Sequence, residues 1–343
     1  MRFRVLSFVL AVGVSGAFLS EMVVSRADLL PGTDRKATGP LREKITGPVS
    51  DLPGGSTGGD VSSPGTVPQG TSEQRAQAQS KLTLSTVYEK WQEGEVGDGR
   101  LKEEMRHYED RFGREVLGRD GVAATFHELA QLKAASGNTN PGNSTDVSTQ
   151  GFTAVRRVRG VAHHAQVRSY YCGPAAAYSI IEYVRGTKKK SAWDGRRLSQ
   201  TNLARSPYLN TDARRATPWS AGRMKVTLNR WISGSNKGWY VDKASPTPAE
   251  FKKALAWNID RRRPFAVDAV EMRGNKHYNG HPVNQTIGHW LVVRGYSGSG
   301  AVAHFVDPLA RSSAVGWSNP RPYFTGTPTA FTKNFLQSNG MTW

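Results

Sequence analysis

The chain of 343 residues has a single cysteine, Cys172, which excludes an intramolecular disulfide framework and every multi-cysteine zinc module. Long apolar runs are missing as well. The N-terminal run over residues 5–14, even extended to Leu19, falls short of the roughly 18–20 residues that span a bilayer. Acidic residues are scarce, 28 Asp and Glu against 46 Lys and Arg, for a formal net charge of +18. The deficit is local: residues 151–343 carry 29 basic side chains against 9 acidic ones, whereas residues 1–150 carry 17 against 19. The C-terminal half therefore presents a basic surface suited to an anionic cell envelope or an acidic protein. With 37% hydrophobic and 22% charged residues, the chain is neither membrane-embedded nor wholly disordered.

What is present divides into five stretches. Arg2 and Arg4 precede the short apolar run, and Ser15-Gly16-Ala17 or Ser25-Arg26-Ala27 offers a cleavage site. Residues 1–27 thus read as a secretory signal, and the protein is expected to be secreted, with no membrane span in the mature chain. Residues 28–71 read as a disordered linker, since 31–71 hold six Pro and nine Gly. Its Gly54-Gly55-Ser56-Thr57-Gly58 matches a serine-hydrolase pattern but lacks the strand and helix that such an elbow needs. Over 72–136 helical periodicity takes over, in Leu84, Val87, Tyr88 and Trp91 and again in Leu101, Met105, Tyr108 and Phe112. This is either an accessory helical domain or a pro-region. His127-Glu128 there begins like a zinc-protease motif, but Gln131 stands where the second His is required. A linker rich in Asn, Ser, Thr and Gly comes next over 137–150, and residues 151–343 carry the candidate chemistry.

Cys172 stands just ahead of a predicted helix in which Pro174 suits the first position and Gly186 a stop. The helix dipole and unpaired N–H groups there favour a thiolate; an inert buried thiol is the plain alternative. Gln166, six residues upstream, is either a surface glutamine or an amide that joins the Cys172 N–H in cradling an oxyanion. Further on, residues 287–295 and 301–306 read as a hairpin about Ser297-Gly298-Ser299. Centring it on Gly298 puts His289 directly opposite Asp307, where paired side chains share a face. His304, of the other parity, is assigned to packing, and Asp307 before Pro308 also suits a strand-ending turn. Together these residues supply a nucleophile, a base, a group to orient the base and an oxyanion donor. His277, His281 and His289 form a competing metal set, but Asn279-Gly280 and Pro282 oppose the helix that would align the first two. No metal or cofactor is expected, and His277 and His281 are placed in a loop near the cleft. The basic segment 187–215 carries Trp193 and Tyr208; nucleic-acid binding is disfavoured against a solvated loop. A helix is expected over 247–259 behind the capping box Thr247-Pro248-Ala249-Glu250, and a strand over 264–270.

Residues 166–177, the run Gly288-His289-Trp290-Leu291-Val292-Val293-Arg294-Gly295-Tyr296 and Phe305-Val306-Asp307-Pro308 resemble the Cys, His and Asp blocks of papain-like cysteine peptidases related to the double-glycine, bacteriocin-processing type. The resemblance spans about residues 155–325. It implies an α+β papain-like fold, Cys172, His289 and Asp307 as a catalytic triad, and Gln166 as the oxyanion-hole side chain. It also implies a peptide or protein substrate. A cell-wall peptide amidase with the same triad, and a non-catalytic envelope-binding module on the same scaffold, are the alternatives. Transporter-linked members add membrane helices and an ATPase, for which this chain has neither spans nor a phosphate-binding loop. Gly54-Gly55 and Gly58-Gly59 in the linker resemble the sites at which such peptidases cut.

Overall fold

The computed structural model describes residues 70–118, 121–137 and 157–343. The expected signal, the linker up to residue 69 with its Gly pairs, and the second linker from 138 on lie outside them.

The helical region consists of α1 (Ser72–Glu93), α2 (Asp98–Phe112) and α3 (Gly121–Gly137). Thr71 and Gln74 form a capping box at the start of α1, and Gly94 closes it in the left-handed region at φ 81°. The apolar stripe seen in the sequence is buried: Leu84, Val87, Tyr88 and Trp91 of α1, Leu101, Met105, Tyr108 and Phe112 of α2. Two polar members of α1, Lys81 and Ser85, are buried with them. Lys81 donates to the carbonyls of Trp239 at 2.6 Å and Trp343 at 2.8 Å, with its ammonium over both indole rings. Burial, with the charge of Arg263 adding to it, holds the Lys81 pKa well below its ordinary value. Tyr88 Oη donates to Asp260 at 2.8 Å, and Arg261 bonds the Thr125 carbonyl at 2.9 Å and pairs with Glu128 at 3.1 Å. These three helices thus share one hydrophobic core with residues 157–343.

The rest is α+β. Its antiparallel sheet comprises β1 (Arg157–Val158), β2 (Asp242–Ala244), β3 (Phe265–Glu271), β4 (Ile287–Ser297), β5 (Val302–Val306), β6 (Tyr323–Gly326) and β7 (Gly340–Thr342). The order is β2-β7-β3-β4-β5-β6, with β1 paired to the far end of β4 beyond β3. Strand alternation sorts the side chains. Asp268, Trp290 and Gly340 are mutually opposed and share one face; Ala269, Glu271 and His289 share the other. Helix α4 (Cys172–Arg185) lies on the first face, with α7 (Arg223–Ser233) packed on it. The fully buried Ala175, Ala176 and Ala177 allow that close approach. Helices α8 (Pro248–Asp260) and α9 (Pro328–Phe335) cover the second face, Phe251 meeting Phe265 and Phe331 meeting Phe305 at ring distances of 5.9 and 4.4 Å. The capping box of α8 forms as its sequence dictates. Short α5 (Gln200–Ala204) and α6 (Thr211–Arg214) fall in the basic segment.

The β4–β5 hairpin departs from the expected register. Gly298, Ser299 and Gly300 all take positive φ, which moves the turn past Gly298. A bulge between Val293 and Gly295 shifts the ladder again, so that Val292 faces Val306 and Ser297 faces Val302. Asp307 is therefore not His289's cross-strand partner. It lies beyond the end of β5, on the turn where the chain leaves the sheet.

Candidate active site

Cys172 is the first residue of α4 and is 4% exposed. Tyr171, at the N-cap, supplies no side-chain cap, so the first N–H groups of the helix face whatever stands before it. Tyr171 is itself fixed by a 2.6 Å bond from its hydroxyl to Asp212. Gly173 is required by contact: a Cβ there would lie 2.3 Å from Thr217 Oγ1. The Thr217 carbonyl accepts the Trp290 indole N–H at 2.7 Å, joining the start of α4 to β4. Burial pushes the Cys172 thiol up to about 12; hydrogen bonding from the Trp290 backbone draws it back, the nearby Asp268 raises it, and the N–H groups of Gly173 and Cys172 itself lower it. Desolvation thus outweighs the pull of the helix start, which is all that the sequence position alone takes into account.

The Trp290 contact places the sulfur beside the residue next after His289 in β4. Pairing of β4 with β5 stops at Val292, which leaves this stretch of strand edge open to Cys172. His289, 1% exposed, bonds Asp307 Oδ1 through Nε2 at 2.8 Å. Among the described residues its Nδ1 has no hydrogen-bond partner. Asp307 is fully buried and accepts three more bonds: from Leu309 N at 2.8 Å, Asn279 Nδ2 at 2.6 Å and His281 Nε2 at 2.8 Å. Burial opposes its charge, but His289 and His281 together hold the carboxyl far below the usual carboxylate range. His163 also reaches the Asp307 carbonyl, at 3.0 Å.

Gln166 is tied to the same turn through its backbone, donating its N–H to the Pro308 carbonyl at 2.9 Å and accepting from Ser312 Oγ at 2.7 Å. The Gln, Cys, His and Asp blocks therefore converge. The Gln166 side chain donates its amide to the carbonyls of Arg168 and Ser169 at 2.9 and 2.7 Å, and its Oε1 is buried without a partner. It shapes the loop ahead of Cys172.

Glu271 is the member that sequence reasoning passed over, whereas His281 and Asn279 entered it only as parts of a loop near the cleft. His281 is not merely near the cleft: it is 3% exposed and bonded to both Asp307 and Glu271. The available signal was the pair of acids in β3, a strand whose seven residues are all buried. Atoms of His281, His289 and Asp307 lie within 4.8 Å of one another. Their contacts at 2.8 Å are those of imidazole N–H groups donating to a carboxylate, and an ion at ~2.0–2.2 Å from each ligand would have to displace those protons. His304 bonds Ser297 at 2.9 Å, away from Asp307. In the basic segment Tyr208 is fully buried and bonded to Ser191, while Trp193 is 46% exposed beneath Arg230. No helix of the described residues is long and apolar enough to cross a membrane.

The fold and site define a papain-like protein of the peptidase class. The family model for the Peptidase_C39 like family matches residues 157–337, more than half of the chain, and the chain belongs to that family. A search of curated proteins gave no match.

Proposed function

We propose that the protein is a secreted cysteine peptidase that cuts peptide bonds with Cys172 as nucleophile, His289 as base and Asp307 as the group that orients the base. Family membership supports peptide hydrolysis. The single observation that carries the residue assignment is the pairing of the His289–Asp307 bond with a sulfur seated against the next residue of the same strand.

In this reading His289 Nδ1 takes the Cys172 proton as sulfur attacks the carbonyl carbon, so that no preformed ion pair is needed. The carbonyl oxygen becomes an oxyanion at the uncapped start of α4. Gln166 joins it by releasing one of its loop carbonyls when substrate enters. The proton on Nδ1 then passes to the leaving amine as the C–N bond breaks. Water, deprotonated by the same nitrogen, opens the thioester and returns the thiol. Asp307 keeps Nε2 protonated and so leaves the lone pair on Nδ1.

Turnover of a protein substrate pool and of peptidoglycan by wild type and Cys172→Ala is the test. A loss of about 1000-fold or more is expected in the variant, with unchanged melting. Cleavage confined to peptidoglycan assigns the amidase chemistry instead, and full activity in the folded variant removes Cys172 from the mechanism.

A further inference from the structure

We propose that Glu271 and His281 are a positioning pair, and that the working unit is a chain of four side chains, Glu271–His281–Asp307–His289, with a positive charge on His281 at neutral pH. The proposal rests on the peptidase reading above for its kinetic consequences, but not for the charge itself.

The chain is continuous and buried. Glu271 Oε2 meets His281 Nδ1 at 2.7 Å, His281 Nε2 meets Asp307 Oδ2 at 2.8 Å, and Asp307 Oδ1 meets His289 Nε2 at 2.8 Å. Glu271 and Asp307 are wholly buried. Each oxygen of Asp307 accepts from two donors, leaving no place for a proton on it, so His281 must donate from Nε2. Glu271 Oε1 accepts the Tyr278 N–H at 2.7 Å, and its Oε2 faces only His281. As a carboxylate it takes the hydrogen on Nδ1, and the ring is an imidazolium between two anions.

That arrangement also decides between two histidines on one aspartate. A general base needs a free lone pair. Both nitrogens of His281 are bound to carboxylates, whereas His289 keeps Nδ1. His281 therefore cannot take the Cys172 proton; it acts through Asp307. Its charge stabilises the buried carboxylate, and its bond to Oδ2 fixes the carboxylate whose Oδ1 orients His289.

The groups facing this ring come from several elements. Glu271 comes from β3, His289 from β4, and Asp307 from the turn after β5. The loop between β3 and β4 contributes Tyr278, whose ring lies 4.8 Å away, and His277, whose Nδ1 is 3.8 Å from Glu271 Oε1. Trp317 packs against the ring at 5.6 Å. From α9 the residues reaching this cluster are apolar, Phe331 and Phe335 against Tyr278. Although burial opposes the charge, the two carboxylates push His281 up to about 9. Folded-state protonation is thus favoured over an unfolded value near 6.5. The stability it gives is complete below about pH 6.5 and is lost as pH rises through about 9.

Two measurements test this. In Cys172→Ala, nitrogen-detected NMR of the imidazoles is expected to show both His281 nitrogens protonated at pH 8, and the Glu271→Gln change to lower that titration by roughly one pH unit or more. A neutral His281 at pH 7.5 overturns the proposal whatever the enzyme does. In the active protein, Glu271→Gln and His281→Gln are expected to lower kcat by roughly 10-fold and 100-fold, with KM within about 2-fold. The alkaline limb of the kcat profile, set where His281 loses its charge, should move down in Glu271→Gln. Should His281→Gln fail to fold, Glu271→Gln and the NMR titration still decide. A folded Glu271→Gln with unaltered kcat and an unaltered pH profile of kcat sinks the positioning role. A charged His281 in a protein without peptidase activity instead condemns the peptidase reading.

Discussion

Asp268 and Glu271 lie three residues apart in β3, both almost wholly buried, and point to opposite faces of the sheet. Glu271 meets a backbone N–H and the His281 imidazole. Asp268 makes no side-chain hydrogen bond among the described residues, and burial alone pushes its carboxyl well above the usual range. It is flanked across the sheet by Trp290 and by Gly340, against which the ring of Trp219 packs so closely that a Cβ would lie 2.7 Å away. Depth is nearly the same in the two cases. The donors on each side decide which acid can be an anion. On the face with α8 and α9 Glu271 belongs to a bonded network, and on the face with α4 burial pushes the Asp268 carboxyl up with no donor to offset it.

Three substitutions act on that contrast. The largest effect is expected from Asp307→Asn, which removes the anion from the centre of the network. It leaves His281 facing an amide and frees the wrong tautomer of His289, so turnover should fall about 1000-fold or more, and urea melts should show a loss of about 3–5 kcal/mol. Activity within a few-fold of wild type would mean that the network does not govern the base. On the other face shape matters more than charge. Gly173→Ala forces a methyl group onto Thr217 and should cost about 1–3 kcal/mol in the same melts, with Cys172 alkylated more readily as it is displaced. An unaltered melt would contradict the contact. The smallest effect belongs to Asp268→Asn. A carboxyl whose folded pKa is raised penalises the native state wherever the unfolded chain ionises, above about pH 4. Asn carries no such penalty, so the variant should gain on wild type by ~1 kcal/mol between pH 3 and 7. A pH-independent difference would show Asp268 to be charged.

How much of this is legible in the sequence differs by element. The block around Cys172, the capping box of α8 and the strand at His289 can be read locally, because each depends on neighbours in sequence. The meeting of His289 with Asp307 is legible too, though for another reason than the one that holds. A hairpin centred on Gly298 predicts a cross-strand pair. Three successive positive-φ residues and a bulge at Arg294 instead put Asp307 off the strand, and its side chain reaches back. The Glu271–His281 contact is invisible to periodicity, since the loop that carries His281 is polar and folds in only through tertiary contacts. The push that burial gives the Cys172 thiol is not legible in the sequence, because a helix start is a local feature whereas desolvation is not.

Lys81 has a consequence for the chain as a whole. Its ammonium links α1 to the last residue, Trp343, and Tyr88 and Trp239 close on Trp257 at ring distances of 5.3 and 5.8 Å. A cut between α3 and β1, with subsequent loss of the helices, would strand the indoles of Trp239, Trp257 and Trp343 in water, so residues 157–343 alone would be prone to clump.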